Sequence, residues 1–211
     1  MGGAANYRLF WREFRRTFYS TGAVLPSGPA LCRALSRHAE GNGSPRRLLE
    51  VGPGTGVVTD QIIRQMGTAD TLDVVELNDR FVAALAERLA TEPHWQMAAG
   101  RVRIHHLPIE ELQAEHQYQA IVSGLPLNNF PVESVRSILA HLRNLAAPGG
   151  TLSFFEYVGV RKAKALVCSR EERQRLAGIG EALHSALDAW RFDRERILAN
   201  IPPAWVHHLR F

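Results

Sequence analysis

Apolar residues along this chain follow two alternating patterns: short unbroken runs, and stripes spaced three and four residues apart. The runs Leu48-Leu49-x-Val51, Val74-Val75, Val102-x-Ile104, Ala120-Ile121-Val122 and Leu152-x-Phe154-Phe155 predict strands near 47–51, 71–76, 102–104, 120–123 and 151–157. Between them, helical stripes run through Ile62, Ile63 and Met66, then Phe81, Val82, Leu85 and Leu89, then Val135, Ile138, Leu142 and Leu145. Pro131 is expected in the first turn of the third helix, and Pro148-Gly149-Gly150 is expected to separate it from the fifth strand. Ser169 and Glu172 form a capping-box pattern ahead of a long stripe, Leu176, Ile179, Leu183, Leu187 and Trp190. Two final strands are predicted over 196–201 and 205–211, around Pro202-Pro203. Strand–helix alternation of this kind implies an α/β fold with a doubly wound, mostly parallel sheet of seven strands.

The chain ahead of the first strand has a different pattern. Tyr7, Phe10, Trp11, Phe14 and Phe18 make one helical stripe, and Arg8, Arg12, Arg15 and Arg16 fall on the other side. An Arg-rich amphipathic helix with aromatic residues has the character of an interfacial membrane helix. Packing on the domain, or contact with nucleic-acid phosphates, would use the same stripe. Ser27 is the expected N-cap of a helix carrying Leu31, Leu35 and His38, and Glu40-Gly41-Asn42-Gly43-Ser44-Pro45 closes this prelude. The expected division is an N-terminal segment, 1–45, and an α/β domain, 46–211.

Composition narrows the class. The 211 residues are 45% hydrophobic and 22% charged, which suits one globular domain. No apolar run approaches the ~18 residues of a membrane span, and no signal-peptide core is visible, so a cytoplasmic protein is expected. Cys32 and Cys168 lie far apart and read as reduced thiols; none of the nine histidines pair at i, i+4, so no metal site is read. A net charge of +4 favours anionic partners.

The chemistry centres on Glu50-x-Gly52-x-Gly54-x-Gly56, at the end of the first strand and the start of a helix. Glycines allow a tight turn and close backbone approach, and the helix start offers free N–H groups. Asp60 stands where a phosphate-loop lysine would be needed, which excludes that class. Twenty residues after Gly56, the second strand ends at Glu76, a carboxylate able to accept from both hydroxyls of a ribose. A dinucleotide oxidoreductase or a purely structural turn would share the glycines alone.

The loop after the fourth strand, Ser123-Gly124-Leu125-Pro126-Leu127-Asn128, is apolar and poor in acid–base groups. Such a loop suits methyl transfer, which needs alignment of a lone pair more than a proton shuttle.

Glu50 to Gly56 together with Glu76 resembles class I S-adenosylmethionine methyltransferases, of Rossmann-like fold. Adding Thr21-Gly22-Ala23-Val24-Leu25-Pro26-Ser27, the 123–128 loop and the tail Asn200-Ile201-Pro202-Pro203-Ala204-Trp205-Val206-His207-His208-Leu209-Arg210, the chain resembles bacterial phospholipid N-methyltransferases. The related rRNA adenine dimethyltransferases share the glycine turn, but here Gly124 replaces their loop Asn and Leu127 replaces a base-stacking aromatic.

The resemblance implies N-methylation of phosphatidylethanolamine towards phosphatidylcholine, with an rRNA adenine methyltransferase as the alternative. It implies that Glu50, Gly52, Gly54, Thr55 and Gly56 hold the methionine portion of S-adenosylmethionine. Glu76 would take the ribose, and Leu77, Pro108 and Ile109 would lie at the adenine. Tyr19 and Ser27 would close over the cofactor. Ser123, Gly124 and Leu125 would line the path to the amine, which Glu156 or Tyr157 would steer. Arg8, Phe10, Trp11, Arg12, Phe14 and Arg15 would dock on an anionic membrane surface, and Arg161, Lys162 and Lys164 would meet lipid phosphate. The implied partners are the phospholipid and the inner membrane face, with no nucleic acid and no obligate protein partner.

Overall fold

The computed structural model describes residues 27–113, 116–160 and 168–211. One sheet holds β1 (Arg47–Val51), β2 (Thr71–Glu76), β3 (Val102–His106), β4 (Tyr118–Ser123), β5 (Ala146–Tyr157), β6 (Arg191–Ile197) and β7 (Ala204–Arg210), in the order β3-β2-β1-β4-β5-β7-β6. Neighbouring pairs among β1 to β5 are parallel, and β7 runs antiparallel to both β5 and β6. The strand order reverses between β1 and β4, which opens a crevice at their carboxyl ends.

Helices cover both faces. On one lie α1 (Pro29–Ser36), α2 (Val57–Gln65), α3 (Asp79–Thr91) and α4 (Pro93–Ala98), whose Leu31, Leu35, Ile62, Leu85 and Trp95 meet Leu48, Val74 and Val122. On the other lie α5 (Val132–Leu145) and α6 (Arg170–Trp190), whose Val135, Ile138, Ile179 and Leu183 meet Leu49, Val51, Ile121 and Phe154. Burial on both faces explains why the central strands read as apolar runs rather than alternations. Asn78 caps α3, its side chain accepting from the amides of Arg80 and Phe81, a contact worth ~1 kcal/mol.

The structure departs from the expected elements in several places. Gly28, not Ser27, is the N-cap of α1, and Pro131 is the N-cap of α5 rather than part of its first turn. Pro148-Gly149-Gly150 lies inside β5, where the β4 register shifts between Tyr118 and Ala120. The capping box of α6 is half formed: Ser169 Oγ accepts from the Glu172 amide, while the Glu172 carboxylate turns to Arg175. β6 begins at Arg191, ahead of the expected start, because Arg191-Phe192-Asp193-Arg194-Glu195-Arg196 is an edge strand with few apolar residues to mark it. α1 is built into the sheet's own core, so the described part of the expected 1–45 segment is continuous with the domain.

Candidate functional site

The glycine turn leaves β1 at its carboxyl end. The amide of Gly52 donates to Val75 O (3.0 Å) and that of Gly124 to Val51 O (2.8 Å), so the tips of β2, β1 and β4 are stitched side by side. Gly52, Gly54 and Gly56 have φ of 71°, 58° and 81°, a region costly for any residue with a Cβ. A Cβ on Gly124 would stand 2.4 Å from Gly52 O, and one on Gly52 would stand 2.7 Å from Leu125 Cδ2. The cofactor turn and the strand-four loop therefore touch through bare backbone.

A Cβ on Gly56 would strike Leu85, Arg88 and Trp95, so this glycine is required for close helix packing. Arg88, which the sequence reading did not single out, donates to Thr55 O (3.1 Å) and Gly56 O (2.9 Å) while stacking 4.3 Å over Trp95. It thereby clamps the far side of the turn. Asp60 completes the clamp. Burial alone would raise its pKa, but hydrogen bonds from Arg64, Trp95 and His94 bring it down to about 2. Asp60, Glu92 and His94 lie close enough to hold a metal, a grouping invisible to histidine spacing. Both carboxylates of that trio are already engaged by Arg88, and Asp60 by Arg64 as well.

Two carboxylates flank the turn. Glu76 Oε2 accepts from the Gly54 amide (3.2 Å), and Oε1 accepts from the amides of Leu77 and Asn78, both at 2.8 Å. Burial pushes its pKa up; Oε1 is saturated by its two amides, while Oε2 keeps a further lone pair for a ribose hydroxyl. Glu50 is 1% exposed, and its Oε2 has no hydrogen-bond partner among the described residues. Burial raises its carboxyl to about 8. A carboxylate orphaned behind a Cβ-free turn fits a cationic ligand such as the sulfonium and ammonium of S-adenosylmethionine. Ile109 is buried in a short turn that follows Pro108, and Leu77 packs against the same core.

At the strand-four loop, Ser123 is buried and its Oγ accepts from the Leu125 amide at 3.4 Å. Leu125 turns its side chain into the core against Gly52, so only its backbone remains for the mouth. Glu156 and Tyr157 are neighbours on β5 and point to opposite faces of the sheet. Glu156 lies 3.8 Å from His207 on β7, while Tyr157 stacks edge-on with Phe155 at 5.1 Å, its pKa raised by burial. Arg175 of α6 holds the end of the strand-four loop by donating to the carbonyls of Asn128 and Phe130. Ser27 is half-buried, and its carbonyl accepts from Cys32 Sγ. Tyr19, Arg8, Phe10, Trp11, Arg12, Phe14, Arg15, Arg161, Lys162 and Lys164 lie outside the described residues.

Residues 48–150 match a family model described as a methyltransferase domain. An ornithine lipid N-methyltransferase from Singulisphaera acidiphila is 28% identical over 148 residues, covering 70% of this chain and 76% of that protein. A ribosomal RNA small subunit methyltransferase A from Synechococcus sp. is 35% identical over 82 residues, 38% of this chain and 28% of its own length. Among solved structures, a Burkholderia thailandensis 1,6-didemethyltoxoflavin-N1-methyltransferase with bound S-adenosylhomocysteine superposes with a TM-score of 0.66 at 19% identity, covering 100% of this chain and 91% of its own. The fold is that of class I methyltransferases.

Proposed function

We propose that this S-adenosylmethionine-dependent methyltransferase methylates the primary amine of a membrane phospholipid, phosphatidylethanolamine, towards phosphatidylcholine. The observation that carries the reading is the backbone-lined mouth where Gly124 meets Gly52 O. Its backbone carbonyls are suited to accept from amine N–H groups. S-adenosylmethionine supplies an electrophilic methyl group on a sulfonium. The chain's own task is to deliver a neutral amine on line with it. An alkylamine titrates near ~10.4 in water, and a dry mouth lowers that value by disfavouring the ammonium. Glu156, partly buried beside His207, favours the charged form and so suits capture of the headgroup before its proton is lost. The relative whose printed name is ornithine lipid N-methyltransferase supports a lipid amine as the acceptor.

The RNA alternative draws on the ribosomal RNA methyltransferase relative. A flipped base needs an aromatic platform. Phe130, the aromatic of the 123–130 loop, is fully buried, and Leu127 is buried beside it. The lipid reading is therefore favoured.

No described helix is long and apolar enough to cross a membrane. The reading assigns docking to the aromatic and arginine-rich segment Tyr7 to Phe18, with salt-sensitive binding. Tritiated-methyl transfer to phosphatidylethanolamine vesicles and to RNA tests the function: label is expected in lipid, and label in RNA alone overturns the reading. Phe10→Glu and Arg12→Glu are each expected to weaken binding to anionic vesicles; wild-type retention by both removes that segment's docking role.

A further inference from the structure

β6 and β7 form a hairpin whose turn, residues 198–203, stands at the carboxyl end of β5, since Ala204 pairs with both Tyr157 and Ile197. The glycine turn and the strand-four loop stand at the same end of the sheet. The turn exposes Leu198 at 65% and Ile201 at 77%. It is firmly held. Asn200, 5% exposed, donates to Pro202 O (2.8 Å) and accepts from the Gly28 amide (3.0 Å), and the Val158 amide donates to Pro203 O (2.8 Å). With Asn200 pinned inward, its flanking residues are held outward.

Single exposed aliphatics are common on soluble proteins. What sets this pair apart is the collar beneath it. On one face of β6, Asp193 and Glu195 are both paired with Arg37 (3.1 and 2.8 Å), and Glu195 also meets His208 (3.3 Å). On the other face, Arg194 and Arg196 lie 4.8 and 5.6 Å from the Trp205 ring, with no carboxylate partner among the described residues. The two acids thus turn to the Arg37 side, where one guanidinium offsets half of their charge, and the other side presents an aliphatic tip, then an indole and two cations. That is the vertical profile of an interfacial anchor, with apolar groups below and amphipathic and cationic groups at headgroup depth.

We infer that the β6–β7 hairpin is a membrane contact in its own right. Leu198 and Ile201 enter the acyl boundary of an anionic bilayer, while Trp205, Arg194 and Arg196 sit among its headgroups and hold the active-site mouth against the surface. The choice of a bilayer rests on the lipid reading above. The hairpin is also where the flanking sequence joins the fold. Gly28, bonded to Asn200, follows the arginine-rich segment, and Val158, bonded to Pro203, precedes Arg161, Lys162 and Lys164.

The test places a bimane label at Leu198→Cys or Ile201→Cys in a Cys168→Ser background, Cys32 being buried. Met97→Cys is the control, since Met97 is 79% exposed on α4, which leads into β3 at the opposite edge of the sheet. With vesicles of phosphatidylethanolamine and phosphatidylglycerol bearing brominated chains, quenching is expected at 198 and 201 and absent at 97. The Leu198→Glu/Ile201→Glu pair should weaken vesicle binding at least about tenfold, the effect of withholding roughly one side chain's burial. S-adenosylhomocysteine affinity should stay unchanged, and so should activity on a short-chain, water-soluble phosphatidylethanolamine. Absence of quenching at both tip positions, or wild-type vesicle binding by the acidic pair, overturns the inference. So does protection of the tip label by self-association without vesicles, which would assign the tip to a second copy. Quenching without methyl transfer to any lipid would defeat the proposed substrate and leave the anchor standing.

Discussion

Replacing Glu50 with glutamine should make the ligand-free protein more stable at alkaline pH while weakening its hold on the cofactor. The buried carboxyl of Glu50 is raised by burial from 4.5 to about 8, and the nearby Glu76 adds to the rise. Between those two values the folded protein keeps a proton that the unfolded chain has released. Native stability therefore falls as pH rises through that window, and it is undiminished below about 4.5. At ~1.4 kcal/mol per pH unit the full interval amounts to at most about 5 kcal/mol. A carboxamide does not titrate, so the Glu50→Gln variant escapes this loss. Urea denaturation from about pH 5 to about pH 9, without ligand, should show the two proteins diverging as pH rises, with the variant more stable at the alkaline end. The cofactor reverses the balance. A cationic ligand favours the ionised carboxylate, so binding near neutral pH should expel up to about one proton. Titration calorimetry in buffers of different ionisation enthalpy reads that proton directly. Parallel stability profiles for the two proteins, or a binding enthalpy independent of buffer, would refute the assignment of Glu50 as the charge partner of the site.

Three further outcomes follow from the geometry. Gly124→Ala puts a methyl group 2.4 Å from Gly52 O, and the two loops must part; kcat/KM should fall by about a hundredfold, as a displacement near 1 Å at a reacting centre costs, with the circular dichroism spectrum retained. Glu76→Gln loses the charge on an oxygen that holds the Gly54 amide and that the proposed reading assigns to the ribose; S-adenosylhomocysteine affinity by calorimetry should drop about tenfold or more, in line with ~1.5–3 kcal/mol for a charge-assisted bond, and unchanged affinity would place the ribose elsewhere. Tyr118→Phe removes the hydroxyl that donates to Asp73 at 2.9 Å, deep in the sheet; thermal and urea denaturation should show a loss of ~1–3 kcal/mol, with KM for the cofactor unaltered because the pair lies at the far end of the strands.

What the sequence made legible was what short-range pattern encodes. β1, β2 and β4 are buried along most of their length and so appear as apolar runs, and the turn after β1 needs glycines at positions where the backbone takes positive φ. Glu76 stood out because a strand ends on it. Three things were not legible. Gly56 lies in the same motif as Gly52 and Gly54 and is required for close helix packing, a requirement that appears only once Leu85 and Trp95 are brought beside it. Arg88 reaches the turn from 32 residues away, and nothing local marks it among the other surface arginines. β6 was misplaced because an edge strand alternates charges on both faces, leaving no apolar rhythm to follow.

The bond between the Gly28 amide and Asn200 Oδ1 joins residues 172 apart. During synthesis, Asn200 leaves the ribosome on the order of ten to thirty seconds after Gly28. Throughout that interval the base of the arginine-rich leading segment has no seat, and β5 lacks the β7 strand that closes its edge. On the lipid reading proposed above, an incomplete chain therefore cannot present both proposed docking elements at once, recruitment to a bilayer is coupled to completed folding, and a truncated or stalled product is left with the leading segment alone.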